Sequence, residues 1–158
     1  MSDIIITMKN GDVMEAELYP DIAPITVENF LSLIEKKFFD GMVFHRIISG
    51  FMIQGGGYDA EGNHKECTPI KGEFRSNGFD NPLKHERGVL SMARTSFPNS
   101  ASSQFFIMHQ DAPHLDGEYA AFGKITKGIE VVDKIANVET NFVDSPIEPQ
   151  IIESIRRI

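Results

Sequence analysis

Alternation of apolar and polar positions is the first signal in the chain. Met14, Ala16 and Leu18 alternate with Glu15 and Glu17 between Val13 and Tyr19, the pattern of a strand with one buried and one wet face. Ile4 to Met8 is an apolar run of strand length, and Lys9-Asn10-Gly11-Asp12 joins the two with Asn-Gly, a pair suited to the positive φ angles of a tight hairpin. These strands are predicted to pair antiparallel. The period then changes: after Pro24, Val27, Phe30, Leu31 and Ile34 recur at i, i+3, i+4 and i+7 before Lys36 and Lys37, predicting an amphipathic helix with proline in its first turn. Strand-like runs return at Val43 to Ile47, Phe51 to Gln54, Gly88 to Met92, Gln104 to Met108 and Ala120 to Ile125. Ile129, Val132, Ile135 and Ala136 share one face of a short second helix, and Ile151 to Ile155 closes the chain.

Strands and helices do not alternate regularly, which argues against a parallel sheet. The expected class is mainly β: a closed eight-stranded antiparallel β-barrel in which closure removes unpaired edges and two α-helices cap the open ends. A single domain over residues 1–158 accommodates all of it. Gly55 to Arg87 shows no sustained period, and unstructured stretches of that length in compact domains tend to be functional or disordered. Pro69, Phe74, Phe79 and Pro82 suggest a loop tied to the body, framing a binding face.

Composition works mainly by exclusion. A formal net charge of −8 disfavours sequence-independent binding to nucleic acid or to an anionic membrane, both of which need basic patches. The single Cys67 can form neither an internal disulfide nor a cysteine-based zinc site, which suits a reducing compartment. Met1-Ser2-Asp3 lacks a basic region and Ile4-Ile5-Ile6 is too short for a signal peptide, so a cytoplasmic location is expected. Without heptads or an evident partner-binding stripe, a monomer is expected.

Among candidate chemistries, Arg46 stands out because Phe44, Ile47, Ile48, Phe51 and Met52 surround it in sequence. A guanidinium stays charged at physiological pH and carries five fixed donors, so beside an apolar surface it suits a carbonyl-bearing, partly hydrophobic ligand. The competing reading is a solvated arginine on a strand pair. Phe105 and Phe106 must face opposite sides of one strand, so one of them can reach a pocket; packing of both is the alternative. Gly55-Gly56-Gly57-Tyr58-Asp59-Ala60 has the form of a dinucleotide fingerprint, with Asp80 downstream as a ribose-binding acid. Loop-like Glu61-Gly62-Asn63-His64 follows it instead of a helix, so the match is read as accidental and the glycines as packing or turn residues. The five histidines lack metal-ligand spacing, and neither a G-x-S-x-G elbow nor a base for Cys67 supports a hydrolase. No metal or cofactor is expected.

Four blocks then combine: Phe44-His45-Arg46-Ile47-Ile48-x-Gly50-Phe51-Met52-x-Gln54-Gly55-Gly56, Gly88-Val89-Leu90-Ser91-Met92-Ala93, Ser103-Gln104-Phe105-Phe106-Ile107, and Leu115-Asp116-Gly117 with Phe122-Gly123. In order and spacing they resemble the cyclophilin family over essentially the whole chain. The resemblance implies a peptidyl-prolyl cis-trans isomerase with an eight-stranded barrel and two helices, acting on proline-containing peptides and on unfolded or folded protein clients. It implies Arg46 as the catalytic arginine, Phe51, Met52, Phe106 and Leu115 as the proline pocket, and Gln54 as the glutamine that holds substrate and arginine. Ala93, Arg94, Thr95 and Gln104 match groove positions that receive the residues before proline, and Gly62 matches a glycine on the neighbouring loop. Three positions depart from the common pattern. His114 stands where many members have the tryptophan that binds cyclosporin, so weak cyclosporin binding is expected. Tyr119 replaces a groove histidine, and Arg94 replaces a frequent asparagine, as in the bacterial-type branch. An arginine-based mechanism implies activity that is flat between about pH 6 and 9. A reading from another class is a module that binds proline-containing segments, with isomerisation incidental.

Overall fold

The computed structural model describes residues 2–65 and 67–158; Met1 of the N-terminal segment and Glu66 of the predicted long loop lie outside the described residues. Its strands are β1 (Ile4–Met8), β2 (Val13–Leu18), β3 (Met42–Ile48), β4 (Met52–Asp59), β5 (Val89–Met92), β6 (Phe105–Met108), β7 (Ala121–Lys127) and β8 (Ile152–Arg157). The helices are α1 (Pro24–Glu35) and α2 (Ile129–Ala136). All strand pairs are antiparallel, in the order β3-β4-β6-β5-β7-β2-β1-β8. The two ends of that order meet: Val43 bridges Ile151, the Phe44 N–H donates to the Gln150 carbonyl at 3.0 Å, and the Gly41 N–H donates to that of Ile152 at 2.8 Å. The result is a nearly closed eight-stranded barrel in which few backbone groups are left at an edge.

Strand alternation separates two apolar clusters. Ile53, Leu90, Met92, Phe105, Ile107 and Phe122 point inward, where they join Ile4, Ile6, Met14, Ala16 and Leu18. Both helices add their apolar faces to this interior, α1 through Val27, Phe30, Leu33 and Ile34, and α2 through Val131, Val132, Ile135 and Ala136. Phe30 stands at its centre, 5.0 Å from the Phe39 and Phe122 rings and edge-on to Phe105 at 5.2 Å. The residues next in sequence, Met52, Val89, Phe106, Met108 and Ala121, point outward and form a second cluster with Ala112 and Leu115. Phe105 and Phe106 therefore divide between barrel interior and outer face, as alternation requires.

Several local expectations change. In the β1–β2 turn Gly11 alone takes a positive φ, of 95°, while Asn10 uses its side chain, accepting from the Asp12 N–H at 2.9 Å. Leu33 takes the central place on α1 that periodicity assigned to Leu31, which is only partly buried at the edge of the core. The largest change is in β4, which runs through the three glycines to Asp59, so the glycine run lies inside a strand and the long loop starts after it. That loop holds a 3-10 turn at Arg75–Asn77 and is bound to the body through two buried side chains. Glu73 accepts from the N–H groups of Ile25 and Thr26 at the start of α1, and Asn81 donates to the carbonyls of Glu73 and Ala121.

Candidate active site

Barrel register aligns one residue from each of five strands. Arg46 on β3 pairs with Gln54 on β4, Gln54 with Phe106 on β6, Phe106 with Ser91 on β5, and Ser91 with Ala121 on β7. Residues paired in this way share a sheet face, so one cross-strand row on the outer surface runs from a cation through an amide to an aromatic ring. Arg46 Nη1 donates to Gln54 Oε1 at 3.3 Å, and Gln54 Nε2 donates to Gln104 Oε1 at 3.0 Å. The arginine's direction is thus tied to two amides in series.

Beside this row lies a cavity of about 150 Å³ with Phe51, Met52, Phe106 and Leu115 as its apolar walls. Arg46 and Gln54 line one side of it, and Ala93, Arg94 and Tyr119 also contribute. Its volume suits one small ring, since sites for whole ligands run to roughly 300–1,000 Å³. Met52 and Phe106 are buried and Arg46 is exposed, so the guanidinium stands at the mouth of the pocket. Tyr119 presents an edge to Phe106 at 5.8 Å.

A neighbouring cavity of about 560 Å³ shares Gln54, Ala93 and Arg94 with the first, and here Thr95 and Gln104 are found. The glycine run makes this proximity possible. Gly56 has φ +88°, and a Cβ on Gly57 would lie 2.6 Å from the Gln104 side chain that bonds Gln54. The Arg94 guanidinium is held in place: it donates to the carbonyls of Glu118 and Thr95 and stacks over Phe74 and Tyr119 at 4.6 and 4.8 Å. His114 lies outside both cavities, exposed and tilted against the Phe51 ring at 5.8 Å. Gly62 also stands apart, in a turn with φ +84° lining a separate cavity behind Arg46, together with His45 and Tyr58. The His45 ring is tilted against Tyr58 at 4.7 Å with its Nδ1 unpaired, and burial first, then the Arg46 charge, pushes its pKa down.

Sequence reasoning missed the parts that hold these side chains. The Gly50 N–H, at the tip of the β3–β4 hairpin, donates to His109 Nδ1 at 2.8 Å. His109 must then carry its proton on Nε2, which sits 3.1 Å from Asp133 of α2. Arg87 clamps both Asp133 oxygens at 2.6 and 2.8 Å and holds that carboxyl below its usual pKa. A second unforeseen group, His85 with Asp116 and Ser91, lies behind Phe106. Most of these partners are far apart in the chain; Ser91, six residues from His85, and Asp116 do lie in the motif blocks, but nothing there points to the histidine, and the other signal was five histidines without ligand spacing.

The model of the cyclophilin type peptidyl-prolyl cis-trans isomerase family matches residues 4–157. The chain belongs to this family. The isomerase is 47% identical over 148 residues to a peptidyl-prolyl cis-trans isomerase of Acinetobacter baylyi, covering 89% of this chain and 76% of that protein. With peptidyl-prolyl cis-trans isomerase B of Escherichia coli K12 the identity is 41% over 159 residues, covering 92% and 93%. Among solved structures, a cyclophilin type peptidyl-prolyl cis-trans isomerase of Cryptosporidium parvum, crystallised in the presence of the dipeptide Ala-Pro, matches with a TM-score of 0.84 at 32% identity. That match covers 99% of this chain and 98% of the other. The cyclophilin fold and the isomerase class expected from the motifs are therefore those of this chain. No helix among the described residues is long and apolar enough to cross a membrane.

Proposed function

We propose that this isomerase turns Xaa-Pro peptide bonds with Arg46 as the electrostatic catalyst and the Phe51, Met52, Phe106 and Leu115 pocket as the grip on the proline ring. The observation that carries this reading is the cross-strand row, which holds a guanidinium beside a pocket sized for one small ring. Rotation faces a barrier of about 18 to 20 kcal/mol because it destroys amide resonance. Unassisted exchange takes roughly tens to hundreds of seconds, so a millisecond turnover needs on the order of 10⁵-fold, near 7 kcal/mol. In the twisted state the proline nitrogen lone pair is localised and accepts a hydrogen bond that the planar amide cannot. A donor aimed there is stronger in the transition state than in the ground state, which is the condition for raising kcat. Gln54 orients the guanidinium, and the dry walls hold the ring while the acyl side rotates. No bond is broken and no proton is transferred.

The groove past Ala93, Thr95 and Gln104 takes the residues before proline, and Arg94 shapes its wall through the Tyr119 contact. The physiological substrates in this reading are folding or folded protein clients, met by a cytoplasmic monomer. An exchange assay on a short Xaa-Pro peptide separates this enzyme from a binding module. Catalytic acceleration at substoichiometric protein is expected, whereas saturable peptide binding without acceleration would overturn the reading. The site also predicts weak cyclosporin binding, because the His114 imidazole offers less apolar area than an indole and stands exposed against Phe51. Calorimetry is expected to give an affinity weaker than micromolar; a nanomolar constant would refute it.

A further inference from the structure

Behind the proline pocket lies a buried Asp-His-Ser constellation that the mechanism above does not use. The His85 and Ser91 side chains are fully buried, and Ser91 is the residue paired with Phe106 in the cross-strand row. Asp116 Oδ1 accepts the His85 backbone N–H at 2.6 Å and faces His85 Nδ1 at 3.1 Å. His85 Nε2 lies 2.8 Å from the Ser91 hydroxyl. The imidazole lies nearly parallel to the Phe106 ring, at 20° and 5.9 Å, and Tyr119 sets an edge against each of them.

We propose that His85 is a positioning residue for the proline pocket, holding the Phe106 ring through its stack while Asp116 fixes one ring nitrogen and Ser91 the other. The proposal rests on the assignment of Phe106 to the pocket. A carboxylate can only accept, so the His85 proton sits on Nδ1 and Nε2 accepts from the Ser91 hydroxyl. Adding a second proton turns Nε2 into a donor. The Ser91 hydroxyl hydrogen then loses its partner in a buried setting, and the hydroxyl and imidazole must move against Phe106. The pocket keeps its shape while His85 is neutral and loosens when it is charged.

The groups that face His85 set where this happens. Burial pushes its pKa below the ordinary histidine value, Asp116 pulls it back up, and His114 opposes the charge from the 3-10 turn Pro113–Leu115. Ser91, Phe106 and Tyr119, from three further segments, face it without a carboxylate or a cationic side chain. The acid limb therefore lies below about pH 6.5, where it sets the acid boundary of the otherwise flat profile of an arginine mechanism.

The test is kcat/KM between pH 5 and 8 on a peptide without titrating groups, for wild type, His85→Gln and Asp116→Asn, with melting curves at each pH to confirm folding. Wild type is expected to be flat above the limb and to fall about tenfold toward pH 5 as the pocket loosens. The limb should move to lower pH in Asp116→Asn, which keeps an oxygen acceptor but loses the charge, and vanish in His85→Gln. NMR of wild type labelled in phenylalanine rings adds a readout independent of turnover: the Phe106 signals should shift with the His85 titration. A wild-type profile flat to pH 5, a limb retained in His85→Gln, or Phe106 signals indifferent to His85 would each overturn the proposal. With normal turnover at pH 8, any of these leaves the Arg46 mechanism standing.

Discussion

Arg46→Ala is expected to lower kcat/KM for an Xaa-Pro peptide by roughly 10² to 10³, the cost of losing one donor aimed at transition-state charge. The effect should fall on catalysis and not on folding. Arg46 is exposed, and its hydrogen bond to Gln54 at 3.3 Å is long, so few native contacts depend on it. The Met52, Phe106 and Leu115 walls pack within a buried apolar cluster, so the pocket should survive the substitution. Arg46→Lys should recover only part of the loss, because an ammonium restores charge but not the fixed fork that Gln54 orients. An exchange assay with all three proteins, alongside melting curves, decides the matter. Near wild-type turnover in Arg46→Ala would remove this side chain from the mechanism.

Glu73→Ala is expected to be the most damaging of the loop substitutions, destabilising the fold by about 3 kcal/mol. The first turn of α1 lacks a local cap: Ala23 has no side chain to accept a hydrogen bond, and the turn carries no acidic residue. Glu73 supplies the missing acceptors from a distant part of the chain. Its buried carboxylate takes the Ile25 and Thr26 N–H groups at 3.2 and 2.7 Å and the Thr26 hydroxyl at 2.7 Å, where the helix dipole also favours negative charge. Removing it strands these donors and frees the loop from the helix. For a chain of this length that corresponds to a fall in Tm of roughly 10 °C. Glu73→Gln keeps one carbonyl acceptor but turns an amide NH₂ toward a donor, so it should fall between. A melting curve for Glu73→Ala that overlays wild type would show that water or neighbouring groups replace the cap.

Stability should also depend on pH with a defined sign. His45 and His85 have folded-state pKa values below the ordinary histidine value, both chiefly through burial. Below about pH 6.5 the unfolded chain binds protons that the native state refuses, so the stability present at neutral pH declines as pH falls through that window.

Much of the molecule was legible in the chain itself. Alternation in β2 and short apolar runs elsewhere located eight strands, and the shift to i, i+3, i+4 spacing located both helices, because burial leaves its pattern in the sequence. The opposed directions of Phe105 and Phe106 followed from the same geometry, as did the wet face of β2. The blocks around Arg46, Gln104 and Leu115 carried the family resemblance. Glycines were the weak point. Gly55, Gly56 and Gly57 read as packing or turn residues after a strand ending at Gln54; they lie inside β4, where Phe44, Phe105 and Gln104 pack too closely for a Cβ. Gly62, matched to a glycine on the neighbouring loop, lines a cavity that it shares with Arg46.

Sequence by itself therefore determined the element types, the barrel class and the residue kinds at the pocket, since each depends on local pattern or on contiguous motifs. Tertiary structure alone decided the register that aligns Arg46, Gln54, Phe106 and Ser91 across four strands. It also decided the Glu73 cap on α1, the His109 hold on the hairpin tip and the His85 stack behind Phe106. The physical reason is that buried polar groups must find partners wherever the closed barrel brings them, and those partners lie far away in the chain.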